Sequence, residues 1–263
     1  MADNDRAAGR RARTDHAADA GGDERVLQAK RELREVVWNA MSEEGVARFP
    51  GAHGRIPNFI GAEQAAELLR GTDVWQHATT VKANPDSPQW PVRQRAVEDG
   101  MMLYMAVPRL AERNPFFIIP PGELDVTPRQ ATSIKGAQQH GRTVPVTALE
   151  PVDLIVTGCV AVDRSGARLG KGGGYADLEF VLAAAAGLVG ARTQVITTVH
   201  ELQILDEGSI PMTAHDVPVD VVVTPDDVIQ VDRQWARPEG VMWEELTGEK
   251  IDAIPLLRDL RGR

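Results

Sequence analysis

Cysteine is nearly absent: Cys159 is the one thiol among 263 residues. No internal disulfide can form, and a reducing cytoplasm fits such a chain. Cys159 lies in the apolar run Asp153-Leu154-Ile155-Val156-Thr157-Gly158-Cys159-Val160, where a thiol serves as a small hydrophobe rather than a nucleophile. No apolar run reaches the roughly 18 residues of a membrane-spanning helix. The first residues are charged and show none of the apolar core of a secretory signal, so a cytoplasmic location is expected. Zinc spacing is missing too. His200-Glu201 and His215-Asp216 are adjacent pairs, which read as structural or capping groups, and neither Ser133 nor Ser165 has the setting of a catalytic triad. There is no internal repeat. The net charge of −9 disfavours nonspecific binding to nucleic acid or anionic membrane, while a local basic pocket for a small anion stays open.

What is present is an ordinary globular composition, 43% hydrophobic, enough for one large core or two small ones. Residues 1–24 mix Arg, Asp, Ala and Gly without apolar period and are expected to be a disordered tail. Val26, Leu33, Val36, Val37, Ala40 and Met41 recur at helical spacing, which predicts an amphipathic helix over residues 25–44, ended by Gly45. Further helices are expected over Ala62–Leu69, Val92–Asp99 and Ala176–Val189, with one near Ala131–His140. Strands are expected over Val74–Lys82, Met101–Val107, Phe116–Ile119, Asp153–Val162, Gln194–Val199 and Val219–Val223. The division is a tail (1–24), an α/β domain (25–232) and a weakly patterned C-terminal extension (233–263). Alternating strands and helices, with the strands apolar throughout, imply helices covering both faces of a largely parallel sheet. Ligands of such sheets bind beyond the C-terminal strand edges.

The stretch Leu169-Gly170-Lys171-Gly172-Gly173-Gly174-Tyr175-Ala176-Asp177 falls at such an edge, between a strand and a helix. Glycines without Cβ atoms let backbone N–H groups turn toward an anion, and the helix N-terminus adds partial positive charge. Lys171 adds a full charge, and Asp177 is placed to hold a magnesium ion beside phosphates. A flexible turn with one exposed lysine is the alternative from the glycines alone. The loop matches neither G-x-x-x-x-G-K-[ST] nor G-x-G-x-x-G.

The longer segment from Gly158 to Asp177 resembles the signature of the 5-formyltetrahydrofolate cyclo-ligases. Lys30-Arg31-Glu32-Leu33-Arg34 is similar to their N-terminal K-x-x-L-R motif, and His215-Asp216-Val217-Pro218-Val219-Asp220 to their C-terminal strand region. Arg55-Ile56-Pro57-Asn58-Phe59, Val81-Lys82-Ala83-Asn84-Pro85-Asp86 and Val107-Pro108-Arg109-Leu110 look like the divergent branch of methenyltetrahydrofolate synthetase domain-containing proteins. The resemblance implies a three-layer α/β/α fold around a largely parallel sheet and Mg-ATP chemistry. ATP would phosphorylate the formyl oxygen of 5-formyltetrahydrofolate, the neighbouring nitrogen would close the ring, and ADP and phosphate would leave with 5,10-methenyltetrahydrofolate.

Under that resemblance Gly172, Gly173 and Gly174 cradle the ATP phosphates, with Lys30 and Arg34 reaching them from the first helix. Lys171 and Arg168 neutralise phosphate charge, Tyr175 lines the substrate site, and Asp177 holds Mg2+. Arg109 and Asp86 are further candidates for substrate contacts, and Asp163 for fixing Arg168 or the turn. The expected partner is a small molecule, a reduced folate or another carbonyl compound, rather than nucleic acid or membrane. The chain departs from the cyclo-ligase pattern G-G-Y-Y-D-R at Ala176 and Leu178, which replace an aromatic and a cation. ATP binding is therefore expected to be retained more securely than folate specificity. Two alternatives follow: a same-fold ATP-dependent enzyme acting on a non-folate substrate, and a noncatalytic nucleotide- or RNA-binding protein.

Overall fold

A computed structural model describes residues 24–262. The expected tail lies outside the described residues, except Glu24, which opens the first helix. That helix, α1, covers residues 24–43, with Val37 and Met41 buried on its inner face. Gly45 (φ 66°) turns the chain after it. Then follow α2 (Ala62–Arg70), α3 (Asp73–Gln76), β1 (Thr80–Ala83), α4 (Trp90–Glu98), β2 (Met102–Ala106), β3 (Phe116–Ile119), α5 (Pro128–Ala131), α6 (Ile134–His140) and β4 (Arg142–Val144). The second half holds β5 (Leu154–Val156), β6 (Ala161–Asp163), β7 (Arg168–Leu169), α7 (Tyr175–Ala185), β8 (Gln194–Thr198), β9 (Ile204–Leu205), β10 (Val221–Val223), β11 (Val228–Gln230), α8 (Gly248–Ala253) and α9 (Pro255–Arg261).

Eight strands form one sheet in the order β11-β10-β8-β5-β1-β2-β3-β4. The run from β10 to β2 is parallel, and β11, β3 and β4 add antiparallel edges. Alternation along the strands divides the core in two. Val81, Leu103, Leu154, Val156, Ile196 and Val221 face the layer that carries α1, α2 and α4. Tyr104, Ile155, Val195 and Val222 face α7, α8 and α9. Helices thus cover both faces, as the apolar strands required. A small sheet, β7-β6-β9, stands beside the large one.

Two expected strands differ. Val74–Lys82 is a short helix, α3, followed by a strand that starts only at Thr80. Thr72 caps this helix by accepting from the Trp75 N–H at 3.3 Å. The buried Trp75 side chain is anchored through Nε1 to Asp99 at 2.9 Å, so a cap and an aromatic anchor override local β propensity. Asp153–Val162 is two strands in two sheets. The break falls at Gly158, where a Cβ would lie 2.7 Å from Gln89 Oε1 and 2.9 Å from Ile56 Cγ2, so the backbone leaves the sheet through a gap only glycine fits. Between β3 and β5, where one helix near Ala131–His140 is expected, the chain forms β4 as well as two short helices. The C-terminal segment, weakly patterned in sequence, buries Ile251, Ile254 and Leu257 in the core beside α7. Among the described residues no helix is long and apolar enough to cross a membrane.

Candidate active site

The ends of the parallel strands open into one cleft of about 580 Å³. Asn84, Pro85 and Asp86 enter it after β1, Pro108 and Arg109 after β2, and Gly158 after β5. The loop following β7 and the first turn of α7 form a wall, and the loop after α1, around Arg55 and Asn58, closes another side. This is the C-terminal edge expected for a parallel sheet. The glycine loop reaches it after the β6–β7 hairpin rather than directly from β5.

Glycine is needed in this loop for conformation. Gly172 (φ 105°) and Gly174 (φ 64°) occupy left-handed backbone that other residues rarely adopt, and Gly174 caps α7. Among the described residues, no backbone N–H from Lys171 through Asp177 donates to a protein acceptor. The first turn of a helix leaves such donors unpaired, and the loop extends the run upstream. Unpaired N–H groups converging with a helix N-terminus attract anions.

The predicted cations take different positions around this loop. Lys171 is half-exposed at the cleft, with Nζ 3.5 Å from Asp86 Oδ1. Arg34 holds the loop instead of standing free, its Nε donating to the Gly170 carbonyl at 2.6 Å. Burial pulls its guanidinium below the usual arginine range. Lys30 is buried and bound to Asp216, which also accepts from the Thr213 N–H and hydroxyl, both at 2.7 Å. Burial opposes the Asp216 carboxylate, but Lys30 and Thr213 outweigh it and hold the carboxyl below its ordinary range. Lys30 thus docks α1 onto the segment before β10.

Arg168 is buried and ion-paired with Asp177, and donates to the carbonyls of Val217 (3.2 Å) and Gly158 (3.4 Å). Burial works against its charge, yet Asp177, with Cys159 and Asp216 helping, outweighs it and the pKa is raised. Asp177 accepts from Arg168 and from the Val217 N–H (3.0 Å) through the same oxygen, Oδ1. No cluster of three or more metal-ligating side chains occurs among the described residues. Tyr175 and Asp177 both line the cleft. Asp163 closes the β6–β7 turn, its Oδ1 accepting from Ser165 N (2.9 Å) and Ala167 N (3.1 Å). Cys159 is fully buried, and burial pushes its thiol up to about 11, the behaviour of an inert core residue.

Sequence reasoning missed a buried polar group at the cleft floor. Lys82 on β1 is ion-paired with Glu179 on α7, and Asn84 Nδ2 donates to the same carboxylate at 2.7 Å. Burial raises the Glu179 carboxyl, with Lys82 pulling the other way. A signal existed: Lys82 sits alone among Val81 and Ala83, and Glu179 alone between Leu178 and Phe180. Opposite charges isolated in two apolar runs imply one another. Lys250 was also missed. It comes from α8 and donates to the Gly173 carbonyl at 2.8 Å, and nothing in its local sequence marks it.

Residues 26–225 match the model of the 5-formyltetrahydrofolate cyclo-ligase family. The chain is similar to proteins named methenyltetrahydrofolate synthase domain-containing protein. The mouse protein is 38% identical over 239 residues, covering 89% of this chain and 64% of the relative. The cattle protein is 36% identical over 237 residues, covering 89% and 62%. The chain therefore spans somewhat under two thirds of these relatives' length. A solved structure of 5,10-methenyltetrahydrofolate synthetase from Aquifex aeolicus superposes with a TM-score of 0.50 at 22% identity, over 79% of this chain and 95% of that one, which shows a shared fold. With a family match spanning most of the described residues and a fold to agree with it, the chain belongs to the 5-formyltetrahydrofolate cyclo-ligase family.

Proposed function

We propose that this chain is a Mg-ATP-dependent ligase that closes 5-formyltetrahydrofolate to 5,10-methenyltetrahydrofolate with release of ADP and phosphate. The observation that carries the reading is the run of unpaired N–H groups from Lys171 to Asp177 on the wall of the strand-end cleft. A formamide oxygen is a poor leaving group, and transfer of the γ-phosphoryl group turns it into a good one. The neighbouring amine nitrogen then attacks the activated carbon and gives up its proton, and phosphate departs with the former formyl oxygen. Such chemistry needs positioning and charge neutralisation more than a covalent nucleophile.

The chain's own groups divide that work. The loop N–H groups hold phosphate oxygens, and Lys171 supplies a mobile charge at the cleft mouth. Arg168 acts from behind, its charge fixed against Asp177 and two carbonyls. Magnesium needs only one or two protein carboxylates beside phosphates, which suits Asp177 and the nearby Asp86 better than a closed carboxylate cage would. When bound it supplies charge compensation on the phosphates. Tyr175 and Arg109 face the same cleft and are placed for the substrate. Arg109 and Leu110 both adopt left-handed backbone (φ 58° and 53°). Strain of that kind, on residues other than glycine, concentrates at ligand sites.

The test is to incubate the protein with Mg-ATP and 5-formyltetrahydrofolate and follow methenyl absorbance and ADP together. Equal amounts of both products are expected. No methenyl product, with nucleotide binding intact, would redirect the reading to another carbonyl substrate. Lys171→Ala is a second check. Its side chain is half-exposed and its ion pair with Asp86 is screened by solvent, so stability should stay within about 0.5 kcal/mol. Mg-ATP affinity should fall by about tenfold or more, in line with losing a charge-assisted phosphate contact of about 1.5–3 kcal/mol. Calorimetric titration reads the affinity and a thermal melt the stability, and unchanged affinity removes Lys171 from the site.

A further inference from the structure

Two cations from opposite ends of the chain hold the glycine loop. Arg34 of α1 grips Gly170 O, and Lys250 of α8 grips Gly173 O. Lys250 lies outside the segment that matches the family. We infer that Lys250 is a positioning residue for phosphate binding, which makes the C-terminal segment a working part of the nucleotide site. The inference rests on the nucleotide reading above.

A trans peptide is planar, with its C=O and N–H pointing in opposite directions. Fixing Gly173 O therefore fixes the direction of the Gly174 N–H, which belongs to the run of unpaired donors. Two consecutive glycines leave that peptide free to rotate, because neither residue restricts its own backbone. An anchored carbonyl removes the alternatives before an anion arrives, and binding then costs less ordering entropy.

The anchor is itself well placed. Lys250 Nζ lies 5.2 Å from the centroid of the Tyr175 ring, within cation–π range. A Cβ on Gly174 would come within 3.1 Å of Nζ, so the glycine makes room for the ammonium. The helix that carries Lys250 is fixed at both ends. Thr247 caps it by accepting from the Lys250 N–H at 3.2 Å, and Ile251 and Ile254 are buried. Leu178, at the position where the cyclo-ligase pattern has arginine, is buried in the same apolar cluster as Ile251 and Leu257. Leucine there gives the C-terminal segment an apolar surface to pack on, and the segment returns a cation to the loop from outside.

Lys250 is also short of negative charge. Among the described residues no carboxylate lies within ion-pair distance of its Nζ, although the side chain is only partly exposed. Burial lowers its pKa, and Asp177 opposes that only at longer range. A bound phosphate would complete its environment.

The test is calorimetric titration of the full chain with Mg-ATP, alongside thermal melts, for the wild type, Lys250→Met and Lys250→Arg. Methionine keeps the aliphatic stem and removes the charge, and arginine keeps a donor for Gly173 O. The expected result is a tenfold or greater loss of affinity in Lys250→Met, recovery to within a few-fold in Lys250→Arg, and similar melting temperatures for all three. Affinity unchanged in Lys250→Met overturns the inference and leaves the nucleotide reading standing. Loss in both variants together with a lowered melting temperature overturns it in favour of a packing role. A wild-type chain that binds no ATP overturns the nucleotide reading and the inference with it.

Discussion

Lys82→Met is expected to destabilise the protein by about 3–5 kcal/mol at neutral pH, lowering Tm by on the order of 10 °C. Lys82 and Glu179 are both buried between β1 and α7, with Glu179 at the floor of the cleft. The cost comes from the carboxylate left behind more than from the lost attraction. Burial already raises the Glu179 carboxyl, and Lys82 is the main group opposing it. Without Lys82 the folded-state pKa rises further. A group whose pKa is raised by folding binds protons more tightly in the native state, so its contribution to stability is full below the unfolded value, about 4.3, and is lost as pH rises through the folded value. The deficit of Lys82→Met relative to wild type should therefore be small near pH ~4 and grow toward neutrality. Adding Glu179→Gln removes the stranded charge and keeps an acceptor for Asn84, so the double variant should recover most of the loss. Denaturant unfolding across pH measures this. A deficit independent of pH, or a double variant no more stable than the single one, would count against a charge-pair origin.

The same pair shows how much of the molecule could be read from the chain. Apolar periodicity placed α1, α2, α4 and most strands of the large sheet, because burial on two faces leaves a pattern that local sequence carries. The glycine loop and the strand-end location of the cleft followed from backbone chemistry and topology. What local sequence left out depended on partners distant along the chain. Gly158 ends a strand because Gln89 and Ile56 occupy the space a Cβ would need. Lys30 shares the first helix with Arg34, and its buried ion pair is with Asp216, 186 positions away. Lys250 meets Gly173 across 77 positions and carries no local signature. Asp177 keeps its place as the expected metal ligand, and its buried ion pair with Arg168 depends on how α7 sits against β7, which local sequence does not carry.

That partnership shapes the second large effect. Asp177→Asn is expected to lower stability by about 3 kcal/mol as well as to weaken Mg-ATP binding. The carboxamide oxygen can still accept from the Val217 N–H, but it leaves the buried Arg168 guanidinium without its counter-charge. A loss of binding in this variant alone would thus confuse two causes, and magnesium separates them. In the wild type, ATP affinity should rise when magnesium is added. If Asp177 is the protein's carboxylate for the ion, that magnesium-dependent gain should largely disappear in Asp177→Asn. Pairing the change with Arg168→Met removes the stranded cation, so stability should recover in part, while the magnesium-dependent gain should stay lost. The measurement is ATP titration with magnesium and with chelator, alongside thermal melts, for the wild type and both variants. Should the ratio of the two affinities stay at its wild-type value in Asp177→Asn, the carboxylate serves to hold Arg168 against the loop, and the ion's ligand has to be sought across the cleft at Asp86.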